Sequence, residues 1–112
     1  MTSHLAVVPV THLDAQTDRA LRYASTLSAR VVALHIAADG APGFAERWAA
    51  RGSTVPLVVL HSPHRRLPRA IDVLRRSQRA ERVTLVLPEG STPGVLGSGV
   101  VVRAVPGGFG QE

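Results

Sequence analysis

Five short runs in this chain are apolar at nearly every position, and stretches of helical period separate most of them. The runs are Leu5-Ala6-Val7-Val8-Pro9-Val10, Val31-Val32-Ala33-Leu34-His35-Ile36, Val55-Pro56-Leu57-Val58-Val59-Leu60, Val83-Thr84-Leu85-Val86-Leu87 and Val100-Val101-Val102-Arg103-Ala104-Val105. A strand that is apolar on both faces needs cover on both faces, which a parallel sheet inside an α/β fold provides. Pro56 lies near the start of its run, where a missing donor is tolerated.

The intervening stretches read as helices. In residues 14–29, Thr17, Leu21, Ala24 and Leu27 recur at helical spacing, with Asp14 as the cap and Asp18 and Arg22 as an i,i+4 pair. Phe44 and Trp48 lie one turn apart, beside Ala45 and Ala49, in a short helix closed by Gly52. Leu67, Ala70, Ile71 and Leu74 set the apolar stripe of a third helix, with Pro68 in its first turn. The order is therefore β-α-β-α-β-α-β-β, the pattern of a single open parallel sheet built from right-handed crossovers with flanking helices. Pro88 to Ser98 reads as a glycine- and proline-rich loop. Residues 1–106 form one domain and residues 107–112 a mobile tail.

Composition narrows the function. A chain of 112 residues, 45% hydrophobic, can build one modest core without staples. It has no cysteine, which excludes a disulfide framework, cysteine-rich zinc sites and a thiol nucleophile. No apolar run approaches the roughly 20 residues that span a bilayer, so no direct membrane insertion is expected. Met1-Thr2-Ser3-His4 has no charged region ahead of a hydrophobic one, so no signal peptide is expected and the location is cytoplasmic. Net charge is +5, from thirteen arginines and no lysine, against eight acidic residues. Arginine grips phosphate in a planar, bidentate fashion, so the excess permits an anionic partner.

Parallel sheets bind ligands outside the carboxyl ends of their strands. His12 follows the first strand, His35 lies near the end of the second, and His61 and His64 flank the end of the third. Four of the five histidines thus fall on one edge. Ser62, Pro63, Arg65 and Arg66 join them at a helix start, where free N–H groups and the helix dipole attract anions. His35 reads equally as a strand residue bonded to a neighbouring backbone, and His12 as a turn residue. Arg75, Arg79 and Arg82 form a stripe that suits a solvated helix face.

Other chemistries find little support. The histidines lack HxH or HExxH spacing, so no metal is expected. There is no GxSxG elbow, Ser62 and His64 are too close in a turn to align as nucleophile and base, and Glu89 reads as a loop residue. The chain is therefore expected not to be an enzyme. Gly94-Val95-Leu96-Gly97-Ser98-Gly99 is flexible enough to wrap an anion but lacks a P-loop lysine. Specific nucleic-acid binding is not expected, because only four aromatics occur and Phe44 and Trp48 suit a core.

The same stretches carry a resemblance. Val7-Val8-Pro9-Val10, Arg19-Ala20-Leu21-Arg22-Tyr23-Ala24, residues 31–37, Arg47-Trp48, residues 55–60, Ser62-Pro63 with Arg65, Ile71-Asp72 and Val86-Leu87-Pro88-Glu89 resemble the universal stress protein fold. More closely, they are similar to the cytosolic C-terminal domain of bacterial amino acid and potassium permeases of the amino acid–polyamine–organocation class, especially actinobacterial ones. The resemblance implies a five-stranded parallel sheet in the order 3-2-1-4-5, dimerised through its fifth strand. It also implies an adenine-nucleotide ligand, ATP in one branch and cyclic di-AMP in the permease-linked domains, where it controls potassium and osmolyte transport.

Departures from the family pattern shape the expectation. Thr11 replaces the usual aspartate, His64 a frequent tyrosine, and Gly94 and Gly97 supply only the first half of the ATP-binding glycine pattern. ATP is thereby disfavoured. The transporter's membrane segment is not in this chain, which is then a stand-alone homologue or a fragment. The expected function is a non-catalytic sensor without a cofactor that binds cyclic di-AMP and acts on a membrane transporter. Val8, Pro9 and Val10 would wall the adenine, and Thr11 and His12 would make polar contacts. His35, Ile36 and Ala37 would flank the base, with Ser62, Pro63, His64, Arg65 and Arg66 on phosphate or the second base. The rival reading is a ligand-free dimerisation or docking domain of the stress-protein fold, or else an ATP/AMP-binding stress protein. For either, Val100, Val101, Val102, Arg103 and Val105 form a bare edge strand expected to mediate a homodimer.

Overall fold

The computed structural model describes residues 4–37, 43–61, 67–90, 94–95, 99–107 and 109. Among the described residues, six strands and three helices follow one another as β1 (His4–Pro9), α1 (Ala15–Leu27), β2 (Arg30–Ala37), α2 (Phe44–Ala50), β3 (Leu57–His61), α3 (Leu67–Gln78), β4 (Arg82–Leu87), β5 (Gly94–Val95) and β6 (Val100–Ala104). The sheet order is β3-β2-β1-β4-β6-β5. The five longer strands are parallel and take the expected 3-2-1-4-5 order, with β6 as the fifth.

Each apolar run divides its side chains between two cores. Leu5, Val7, Val32, Leu34, Val83, Leu85, Val100 and Val102 face α3, where Ala70, Ile71 and Leu74 meet them. Ala6, Val8, Val10, Ala33, Val86 and Val105 face α1 and α2, against Ala20, Leu21, Ala24, Phe44 and Trp48. Burial on both faces explains why these strands do not alternate apolar with polar residues. Small side chains at Ala20 and Ala24 bring α1 close to the sheet, where it packs on β1, β2 and β4.

Local chemistry sets the ends of the elements. Asp14 caps α1, its carboxylate accepting the Thr17 N–H at 3.0 Å. Trp48 donates its indole N–H to the Val55 carbonyl at 3.0 Å, which ties α2 to the entry of β3. Pro56 contributes only its carbonyl, which accepts the Ala33 N–H at 2.9 Å, so β3 begins at Leu57. At the end of α3, Ala80 N–H bonds Arg75 C=O and Arg79 N–H bonds Arg76 C=O, with Arg79 left-handed at φ 52°. That is a Schellman closure with arginine where glycine is usual.

Several sequence expectations change. Asp18 pairs with Arg51 across the fold rather than with Arg22, because α1 and α2 cover the same core face of the sheet and the Arg51 guanidinium, at the end of α2, reaches it. Arg75 leaves the solvated stripe and donates to the carbonyls of Ala80 and Glu81, closing the turn after its own helix. The loop before β6 contains β5, which pairs antiparallel with Val101 and Val102. Phe109, expected in a mobile tail, packs edge-on against Tyr23 at 5.3 Å between ring centres. Among the described residues no helix is long and apolar enough to cross a membrane.

Candidate functional site

In this order β1 sits between β2 and β4, and the chain leaves β1 toward β2 but enters β4 from β3. Connections diverge there to opposite faces of the sheet, opening a crevice at the carboxyl ends of β1 and β4. A cleft of about 80 Å³ occupies that point, lined by Pro9, Thr11, His12, Asp14, Gln16, Thr17, Ala20 and Pro88. Thr11 and His12 are exposed on its rim. The His12 carbonyl accepts the Thr17 hydroxyl at 2.6 Å, which fixes the turn between β1 and α1.

Asp14 sets the electrostatics of this turn. Its carboxyl lies below the usual carboxylate range, chiefly through the hydrogen bond from Thr17 N–H, with help from the Thr17 hydroxyl and the nearby His12. The helix end that would otherwise attract a phosphate already holds a carboxylate of its own. Any anion in this cleft is therefore held by groups other than the start of α1.

The expected ligand residues separate into three groups. Pro9, Thr11 and His12 do line the cleft. Val8 and Val10 are only 1% exposed and belong to the core under α1, so they are not a free wall for a base. His35 is also interior: its Nδ1–H donates to the Val10 carbonyl at 2.9 Å, and its ring stacks on Phe44 with centres 3.9 Å apart. Of the two readings of His35, the strand residue bonded to backbone is the one found. Ile36 points to the α3 side and packs on that core. Ala37 closes β2, paired with His61 of β3. Ser62, Pro63, His64, Arg65 and Arg66 lie outside the described residues.

Asp14, Gln16, Thr17 and Pro88 belong to the cleft although the sequence showed them only as a cap, helix residues and a loop start. Their signal was positional: Pro88 follows the strand that neighbours β1, so strand order places it beside Thr11. Next to the cleft, Arg19 joins three distant segments. It pairs with Glu89 at 2.8 Å and donates to the Phe109 carbonyl at 3.2 Å. Glu89 thus serves as an ion-pair partner.

At the other end of the sheet, Gly99 is left-handed at φ +76°, and a Cβ there would come within 2.9 Å of the Arg75 guanidinium. The glycine run leading into β6 therefore packs against α3 at its close. It begins in β5, and residues 96–98 lie outside the described residues.

The fold and its crevice define an open, doubly wound α/β domain of the kind that binds ligands at a topological switch point. Residues 2–98 match the family model of the KimA potassium transporter C-terminal domain, and the chain belongs to that family. No curated protein matches the chain.

Proposed function

We propose that this domain is a non-catalytic regulatory module of a potassium transporter that binds an adenine nucleotide, cyclic di-AMP first, at the carboxyl ends of its strands. The cleft between β1 and β4 carries this reading, and the family supplies the transporter. At about 80 Å³ the cleft holds a phosphate or a ribose, whereas a whole ligand occupies roughly 300 Å³ or more. The bases then lie over the rim, against Thr11 and His12, and Arg65 and Arg66 are the side chains whose chemistry suits the phosphates. Such a module works on the cytosolic side of the membrane.

Titration calorimetry with cyclic di-AMP, ATP, AMP, cyclic AMP and cyclic di-GMP tests the proposal. The expected result is micromolar or tighter binding of cyclic di-AMP, weakened by Arg65→Ala. Flat heats and an unchanged melting temperature with every nucleotide would remove it.

A homodimer through the β6 edge is a second component, favoured by one observation. Strand β5 pairs with only Val101 and Val102, leaving Arg103 and Ala104 of β6 uncovered by it. Val100, Val102 and Val105 are buried in the chain's own core, so such a dimer rests on backbone pairing with Val101 and Arg103. Light scattering that shows a monomer at high concentration rules the dimer out.

A further inference from the structure

A second concavity among the described residues lies away from the nucleotide cleft. It is a groove of about 400 Å³ on the α1 side of the sheet, formed by His4, Leu27, Arg82, Thr84, Val101 and Arg103 together with Val83 and Gly99. Its floor is the buried Thr84 of β4 and the exposed Val101 and Arg103 of β6. Thr84 shares a 2.7 Å hydrogen bond with His4, while Val101 is 39% exposed. A parallel sheet normally carries helices on both faces. Here α1 packs on β1, β2 and β4, and the connection into β6 closes against α3 on the opposite face.

Spacing identifies what would fit. Packed helices lie roughly 8–10 Å apart, and neighbouring strands roughly 4.8 Å apart. A helix beside α1, which is seated around β1, therefore falls two strands away, over β6. That seat presents Leu27 and Val101 as apolar contacts, flanked by Arg82 and Arg103. Neither arginine meets a carboxylate among the described residues, and no acidic side chain lines the groove. A second copy seated there would bring the same cations face to face on a chain of net charge +5.

We propose that this groove is a docking surface for an acidic amphipathic helix of another polypeptide. Leucines of that helix cover Val101 and Leu27, and its flanking carboxylates pair with Arg82 and Arg103. The proposal does not depend on nucleotide binding, because the groove and the cleft share no residue.

The test uses the full chain, labelled with ¹⁵N, and a helical peptide of about 15 residues with a leucine stripe flanked by glutamates. Controls are a scrambled peptide, a lysine version and vesicles of phosphatidylglycerol. The glutamate peptide is expected to shift the amide signals of Thr84, Val101 and Arg103. The double variant Arg82→Glu/Arg103→Glu, checked for an unchanged fold by its spectrum, should weaken it by about tenfold and favour the lysine peptide instead. Equal binding to wild type and double variant overturns the proposal, as do shifts that map elsewhere. So does concentration-dependent self-association that shifts Leu27 and Thr84 of the groove, which a dimer through the β6 edge leaves alone, or binding of the vesicles without the peptide.

Discussion

His35 shows how a residue type can mislead about role. A histidine near a strand end invites a ligand, yet this one donates to Val10 C=O and stacks on Phe44. Replacing it with alanine removes the stack and leaves a buried carbonyl without its partner, a loss of about 2–3 kcal/mol. Urea unfolding of His35→Ala should show a lower midpoint at unchanged slope. An unchanged midpoint with abolished cyclic di-AMP binding would assign His35 to the ligand instead. Asp14 acts through charge. Its folded-state pKa is lowered, so its contribution is full above the unfolded value of about 4 and disappears as pH falls through the folded value. Melting curves of wild type and Asp14→Ala should therefore differ at neutral pH and converge in acid. A gap that persists in acid would mean that the cap does not depend on ionised Asp14.

Among the elements, α3 ends against its own sequence preference. Arg79 holds a left-handed conformation that strains a side chain but suits glycine, and it is exposed. Arg79→Gly should raise stability by about 1 kcal/mol, measured by chemical denaturation, whereas Gly99→Ala should lower it because a Cβ meets Arg75 and the Glu81 carbonyl. Long elements were legible because their signal is repeated: apolar runs for the five parallel strands, Leu67 to Leu74 for α3, Phe44 with Trp48 for α2. Strand β5 was not, since two residues, one of them glycine, carry no period. Asp18 was given a partner four residues away because local spacing is all a helix pattern can show, whereas Arg51 reaches it only through tertiary packing. In the site, Thr11 and His12 were legible from their place after β1. Burial of Val8 and Val10 at the same strand end was not, because α1 and α2 determine which side chains are covered there.

At the scale of the whole molecule, Arg19 is the point where the first helix, the end of β4 and the last described residue meet. Its guanidinium bonds Glu89 and the Phe109 carbonyl, and Tyr23, one turn further along α1, receives the Phe109 ring. The chain after β6 is thereby held across the carboxyl edge, beside the cleft of Pro9, Thr11 and Pro88. The ion pair is partly exposed and contributes little in isolation. Its weight comes from fastening segments 70 and 90 residues apart in sequence, whose release frees several residues at once. Arg19→Ala should speed amide hydrogen exchange at Val105 and Phe109, where the N–H groups bond Leu87 C=O and Pro106 C=O. Exchange in β2 should stay unchanged, and Phe109→Ala should accelerate the same two amides. If Arg19→Ala instead accelerated exchange across the whole sheet, the contact would belong to global stability and not to a local strap. If neither variant moved those amides, the chain after β6 would be held by the β4–β6 pairing alone.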